Sequence, residues 1–220
     1  MKGLRLLWYR FWQQVARVLL VLVFGLRVHH RRRFPRTGGV LVVANHQSYL
    51  DPILAAVGMP RAFHPMARES LFRFAPFRWL IGSLYAFPVR RGTADLAAVK
   101  EALRRLQAGG VVLVFPEGTR TRDGSIGPMH GGPAAIAARA GVPIVPMVID
   151  GAFEAWPRTR RLPRPHPIRV AVGAPVMPPQ YEGADAAAVM AEVRRRMVEL
   201  QAELRGKPAR CGVGEWRGAQ

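Results

Sequence analysis

Acidic residues are missing from the first fifty positions of the chain; the first carboxylate is Asp51. The same stretch carries Lys2 and eight arginines, and the whole chain sets 33 Lys and Arg against 14 Asp and Glu, a formal net charge of +19. That imbalance points to an anionic partner: nucleic acid, a membrane surface or small anionic substrates. Cysteine is nearly absent too. A lone Cys211 can close no internal disulfide, calls for no oxidising compartment and excludes a multi-cysteine zinc site. Long apolar runs are missing as well: a membrane-spanning helix needs about 20 such residues, whereas Arg17 and Arg27 bracket only nine. No Gly-x-Ser-x-Gly elbow argues for a serine hydrolase, no His-x-x-x-His pair for a metal, and no Gly-rich loop before Lys-Ser/Thr for ATP.

What is present is enough apolar residue, half of the chain, to build a core. Residues 1–28 read as a helix rich in Leu, Val, Trp and Phe. With its arginines, this segment suits an amphipathic anchor lying in a membrane interface rather than a span or a signal peptide. Apolar runs bounded by Gly and Pro predict strands at Gly38–Asn45, Tyr85–Val89, Val111–Phe115, Pro143–Ile149 and Ile168–Val172. Helices are expected at Pro52–Gly58, at Phe72–Ser83 with an interruption near Pro76, and at Thr93–Ala108, Pro133–Ala140 and Asp185–Arg205. Alternating strands and helices imply an α/β fold, a largely parallel sheet flanked by helices, behind the N-terminal membrane-associating helical segment. Three regions follow: 1–36 the membrane-associating segment, 37–206 the α/β domain, 207–220 a flexible tail.

In such sheets ligands gather beyond the carboxyl ends of strands, and two polar motifs stand there. Asn45-His46-Gln47-Ser48-Tyr49-Leu50-Asp51 follows the first strand. If the chain turns between His46 and Asp51, the carboxylate holds one ring nitrogen as N–H and leaves the other as a base. Asp51-Pro52 also suits a plain helix start. Phe115-Pro116-Glu117-Gly118-Thr119-Arg120 follows another strand. Arg120 could grip a phosphate there, or pair with Glu117 and serve only the loop. Ala86–Gly92 adds Arg90 and Arg91, an anion contact or a solvated basic loop. The remaining histidines, His64 and His130 among them, fall in expected loops.

NHQSYLD, FPVRR, FPEGTR and VPIVPM, in this order between about Gly38 and Pro178, resemble the blocks of the glycerolipid acyltransferase family of 1-acyl-glycerol-3-phosphate acyltransferase type. The resemblance implies that His46 is the general base for the acceptor hydroxyl and that Asp51 orients it. It implies that Arg91, Glu117, Gly118, Thr119 and Arg120 hold the glycerol phosphate headgroup, and that the VPIVPM block lines the donor side. Acyl-CoA or acyl carrier protein would be the co-substrate, with no cofactor and no metal. Two positions depart from the pattern. Arg68 stands where a Lys is frequent on the headgroup side, and His130 replaces a basic Lys before Gly.

The partners expected are a membrane surface with anionic lipid, a lysophospholipid acceptor and the acyl thioester, with no nucleic acid; the location expected is the cytoplasmic face of the cell membrane. Lyso-ornithine lipid and lysophosphatidylglycerol are alternative acceptors. Nucleic-acid binding is the rival suggested by charge, but the aromatics cluster beside apolar runs and no such module is visible.

Overall fold

The computed structural model describes residues 3–89 and 95–206, and only the backbone of Arg68, Phe77 and Leu80. Seven strands form one sheet: β1 (Arg27–His29), β2 (Val40–Ala44), β3 (His64–Arg68), β4 (Phe87–Val89), β5 (Val111–Val114), β6 (Ile144–Asp150) and β7 (Arg169–Val172), in the order β1-β7-β6-β2-β5-β3-β4. Every neighbouring pair is parallel except β6 with β7. The helices are α1 (Gly3–Phe24), α2 (Asp51–Gly58), α3 (Ala75–Ser83), α4 (Leu96–Gln107), α5 (Gly132–Ala140), the one-turn α6 (Ala152–Ala155) and α7 (Ala186–Leu204).

The central strands read as unbroken Val, Leu and Ile because both of their faces are covered. Val40, Val42 and Ala44 of β2 point into one core with Leu20 and Phe24 of α1 and Leu54 of α2. Leu41 and Val43 point into the other, with Leu103 of α4, Ala137 of α5 and Met197 of α7. β5 and β6 alternate in the same way. Asp95 and Asp185 cap α4 and α7 by accepting from the amides of Ala98 and Ala188, each at 3.0 Å.

The five expected strands all form, and two more join them. The apolar pattern carries the first helix through Val28, but the helix stops at Phe24, Gly25 turns with a φ of 54°, and Arg27–His29 pairs with β7 as β1. β3 falls where the sequence predicts loop; it is short and polar, and takes its register from β5 and β4. Pro76 opens α3 rather than interrupting it, after a 3₁₀ turn at Glu69–Phe72. Pro146 lies in the interior strand β6, where its carbonyl accepts from Gly173 just past the end of β7. Its missing N–H therefore falls where the ladder is already ending. The expected tail, 207–220, lies outside the described residues.

Candidate active site

The carboxyl ends of β2 and β5 are neighbours, so the two loops that follow them meet. After β2 the chain turns tightly and enters α2 at Asp51. This brings Asp51 Oδ2 to 2.7 Å from His46 Nδ1. The same oxygen accepts from the amides of Gln47 at 2.5 Å and Ser48 at 2.7 Å. Three donors on one oxygen fix the carboxylate, which fixes the ring: Nδ1 carries the proton toward Asp51, and Nε2 is left without a hydrogen-bond partner among the described residues. Asp51 is fully buried. Burial pushes its carboxyl upward, while His46 and the two amides pull it back. The imidazole stacks on Phe115, with ring centroids 4.3 Å apart and planes tilted by 22°.

The loop after β5 is tied to the same turn. Glu117 Oε1 accepts from the His46 amide at 2.9 Å and Oε2 from the Gly127 amide at 3.3 Å, while the Thr121 amide donates to the His46 carbonyl at 2.8 Å. Burial raises the Glu117 carboxyl above its ordinary value, against those two amides. Arg194 of α7 holds the far side of this loop, donating to the carbonyls of Ile126 at 2.9 Å and Gly127 at 2.9 Å. Glu117 and Arg120 therefore do not pair. Arg120 lays its guanidinium over the Tyr49 ring at 3.6 Å, with Nη1 buried and unpartnered. Gly118 takes a φ of 71°, and both it and Thr119 are exposed. The amide of His130 donates to the Pro116 carbonyl at 3.2 Å, which puts His130 beside this loop.

β6 closes the third side. Asn45 exchanges two hydrogen bonds of 2.8 Å with the Ile149 backbone, Gln47 donates to the Gly124 carbonyl at 2.8 Å, and Ser48 Oγ donates to the Trp156 carbonyl at 2.8 Å. Trp156 in turn packs on Tyr49 at 5.3 Å. The site therefore brings together an imidazole nitrogen with no hydrogen-bond partner among the described residues, an aromatic pair carrying a cation, and an open loop of Gly118 and Thr119.

His46, Asp51, Glu117, Gly118, Thr119 and Arg120 are thus gathered at one end of the sheet. Arg68 ends β3 nearby, with its side chain outside the described residues, as all of Arg91 is. Tyr49 and Trp156 escaped the sequence reading as a pair. Tyr49 lies inside a motif already singled out, but nothing marks Trp156, which reaches the site only because β6 lies beside β2.

A family model described as Acyltransferase matches residues 25–150. The 1-acyl-sn-glycerol-3-phosphate acyltransferase of Bacillus subtilis is 30% identical over 65% of this chain and 71% of its own length. The 1-acyl-sn-glycerol-3-phosphate acyltransferase alpha of Mus musculus is 31% identical over 87% of this chain and 70% of its own. The crystal structure of the 1-acyl-sn-glycerophosphate (LPA) acyltransferase PlsC from Thermotoga maritima superposes with a TM-score of 0.74 at 25% identity, covering 88% of this chain and 80% of that one.

Proposed function

The chain belongs to the acyltransferase family, and we propose that it moves a fatty acyl group from acyl-CoA or acyl carrier protein to the sn-2 hydroxyl of 1-acyl-glycerol-3-phosphate, giving phosphatidic acid. The observation that carries this reading is the unpartnered Nε2 of His46, backed by a buried carboxylate, in a turn whose Tyr49 carries an arginine with an unpartnered nitrogen. An alcohol is a poor nucleophile near neutral pH, and imidazole is the side chain suited to take its proton as the C–O bond forms. The acceptor oxygen attacks the thioester carbonyl carbon while Nε2 takes the hydroxyl proton. The tetrahedral adduct then expels the thiolate, which can recover that proton from Nε2. Asp51 keeps Nδ1 protonated throughout and stabilises the transient imidazolium.

The headgroup is held by the loop after β5. Arg120 has a desolvated N–H with nothing to bond, a cost that a phosphate oxygen would remove. Gly118 and Thr119 offer the exposed backbone and hydroxyl of the turn, and the positive charges of Arg68 and Arg91 are assigned to the same headgroup. Glu117, with both oxygens on backbone amides, shapes the loop rather than offering it a free charge. The test is a product assay with labelled acyl-CoA, or acylated carrier protein, and lysophosphatidic acid in anionic micelles. Phosphatidic acid is the expected product. Acylation of lyso-ornithine lipid or lysophosphatidylglycerol alone would overturn the acceptor assignment.

The acceptor is a lipid, and α1 is built to meet it at a surface. Tyr9, Leu20 and Phe24 face the core, while Leu4, Leu7, Phe11, Val18 and Leu22 lie on the opposite side and are exposed. This is the reverse of a helix meant for water. Trp8 stacks edge-on against Trp79 of α3, itself 67% exposed, which extends the apolar face to a second helix. No helix among the described residues is long and apolar enough to cross a membrane. The face suits insertion in the plane of the interface, with arginines at headgroup depth. Because acyl thioesters are cytosolic, the protein would sit on the cytoplasmic face. Replacing Leu7, Phe11 and Leu22 together by Ser should abolish co-sedimentation with vesicles containing anionic lipid while leaving the thermal midpoint within about 2 °C, as expected for exposed positions. Undiminished binding would refute the docking.

A further inference from the structure

At the other end of the sheet, where β3 and β5 begin, lies a cleft of about 530 Å³, lined by Arg5 and Arg10 of α1, Arg61 before β3, and Arg104 and Arg105 at the end of α4. Among the described residues, the only carboxylate in contact with these five guanidinium groups is Glu101, which pairs with Arg104 and Arg105. Three of the arginines have uncharged partners, Arg105 in addition to Glu101. Arg5 donates to the Ser83 carbonyl at 3.3 Å and lies over the Tyr85 ring at 4.2 Å. Arg61 donates to the Gly109 carbonyl at 2.6 Å, and Arg105 to the Tyr85 carbonyl at 2.8 Å. Carbonyls satisfy donors but cancel no charge, so the cleft holds cations in excess of their counter-ions, with Arg61 and Arg105 oriented and partly buried and Arg5, Arg10 and Arg104 exposed around them. Burial and Arg105 hold His64, also in the lining, down to about 4, so it adds no charge near neutral pH.

We propose that this cleft is a binding site for the phosphate of an anionic phospholipid headgroup, separate from the His46 site. A membrane lipid rather than a soluble phosphate is favoured by α1. Arg5 and Arg10 flank its outward apolar face, so a phosphate in the cleft leaves its acyl chains beside Leu4, Leu7 and Phe11. The His46 turn lies at the carboxyl ends of the strands, whereas Gly110 and His64 mark their amino ends. A lipid here would therefore tether the protein without competing for the base. The inference rests on reading α1 as a surface helix.

The experiment titrates dihexanoyl phosphatidylglycerol, below its micelle concentration, into the full chain by calorimetry, with dihexanoyl phosphatidylcholine and inorganic phosphate as comparisons. Arg10 makes no contact that fixes it among the described residues, and Arg104 is bound only to Glu101, so Arg10→Ala/Arg104→Ala removes charge with little structural cost. Arg139→Ala/Arg161→Ala, at exposed positions away from the cleft, removes the same charge. Expected is saturable binding of one phosphatidylglycerol, at least tenfold weaker in the cleft variant and unchanged in the control, with no binding of phosphatidylcholine. Equal weakening in both variants, absence of saturation, or inorganic phosphate binding as tightly as the lipid would each overturn the site. Vesicle sedimentation separates the two ideas. If phosphatidylglycerol binds but wild type fails to sediment with vesicles, the surface docking fails and the site stands.

Discussion

His46→Ala should lower kcat/KM for acyl transfer by at least about 10³-fold, within the range general-base catalysis contributes, with KM for the acceptor changed far less. The ring makes its proton-transfer contribution only as the new bond forms, so its loss falls on kcat. Asp51→Asn is the sharper variant. Because Oδ2 alone accepts from Nδ1 and from both amides, an amide oxygen in its place would keep all three bonds and remove only the negative charge, while the NH₂ would take the buried, unpartnered position of Oδ1. The Nδ1–H tautomer would be kept, but the imidazolium that forms as Nε2 takes the proton would lose the carboxylate charge that stabilises it. A fall of about 10²–10⁴-fold is expected in that variant too, with the fold retained. Steady-state rates together with thermal melts decide this. Activity within threefold of wild type in His46→Ala would remove His46 from the role of base, and in Asp51→Asn it would remove the carboxylate's charge from the mechanism.

Gly151→Ala should be among the most damaging single-methyl changes in the molecule. Gly151 follows β6 with a φ of 85°, and a Cβ there would lie 2.1 Å from the carbonyl oxygen of Pro167. A left-handed conformation costs Ala on the order of 1–3 kcal/mol, and a backbone oxygen cannot step aside as a side chain can. We expect a total loss of about 2–4 kcal/mol and a thermal midpoint lower by about 5–15 °C for a chain of this size. Gly183 is the internal control: its φ is 73°, but nothing lies within 4 Å of its Cβ position, so Gly183→Ala carries the conformational cost alone. The difference between the two variants isolates the contact with Pro167. Equal melting of both would show that the segment relaxes freely. Activity should fall as well, because α6 begins at this glycine and supplies the Phe153 amide to Gln47 Oε1 at 3.4 Å, and the carbonyl of Trp156 just beyond it bonds Ser48.

What could be read from the sequence follows from how local each cause is. β2, β5, β6 and β7 are apolar runs cut off by turn residues, and their burial on both faces leaves a signal in the run itself. Arg-Val-His of β1 and His-Pro-Met-Ala-Arg of β3 have no such signal, because their partners are remote strands at the sheet's margins. The first helix was legible as helix and as apolar. Which side faces the core was not, since apolar residues surround most of it and contacts with remote parts of the chain, α2 and Tyr85 among them, decide the matter. His46 and Asp51 are close in sequence, so their meeting could be anticipated. The cradle of Tyr49, Arg120 and Trp156 joins three loops, and no spacing within any one of them announces it.

The proposed base and its orienter occupy one short turn, whereas most of the residues proposed to grip the acceptor stand in the loop after β5. Closing so small a loop costs little chain entropy, and the amides of Gln47 and Ser48 fasten the carboxylate from within the same turn. The proposed chemical half of the site is thus fastened from within its own turn, and His46 with Glu117, Gln47 with Gly124 and Ser48 with Trp156 join it to the loops after β5 and β6. Exchanging residues around Arg120 and Trp156 can retune which hydroxyl is presented, while the His46 ring stays where its own loop holds it.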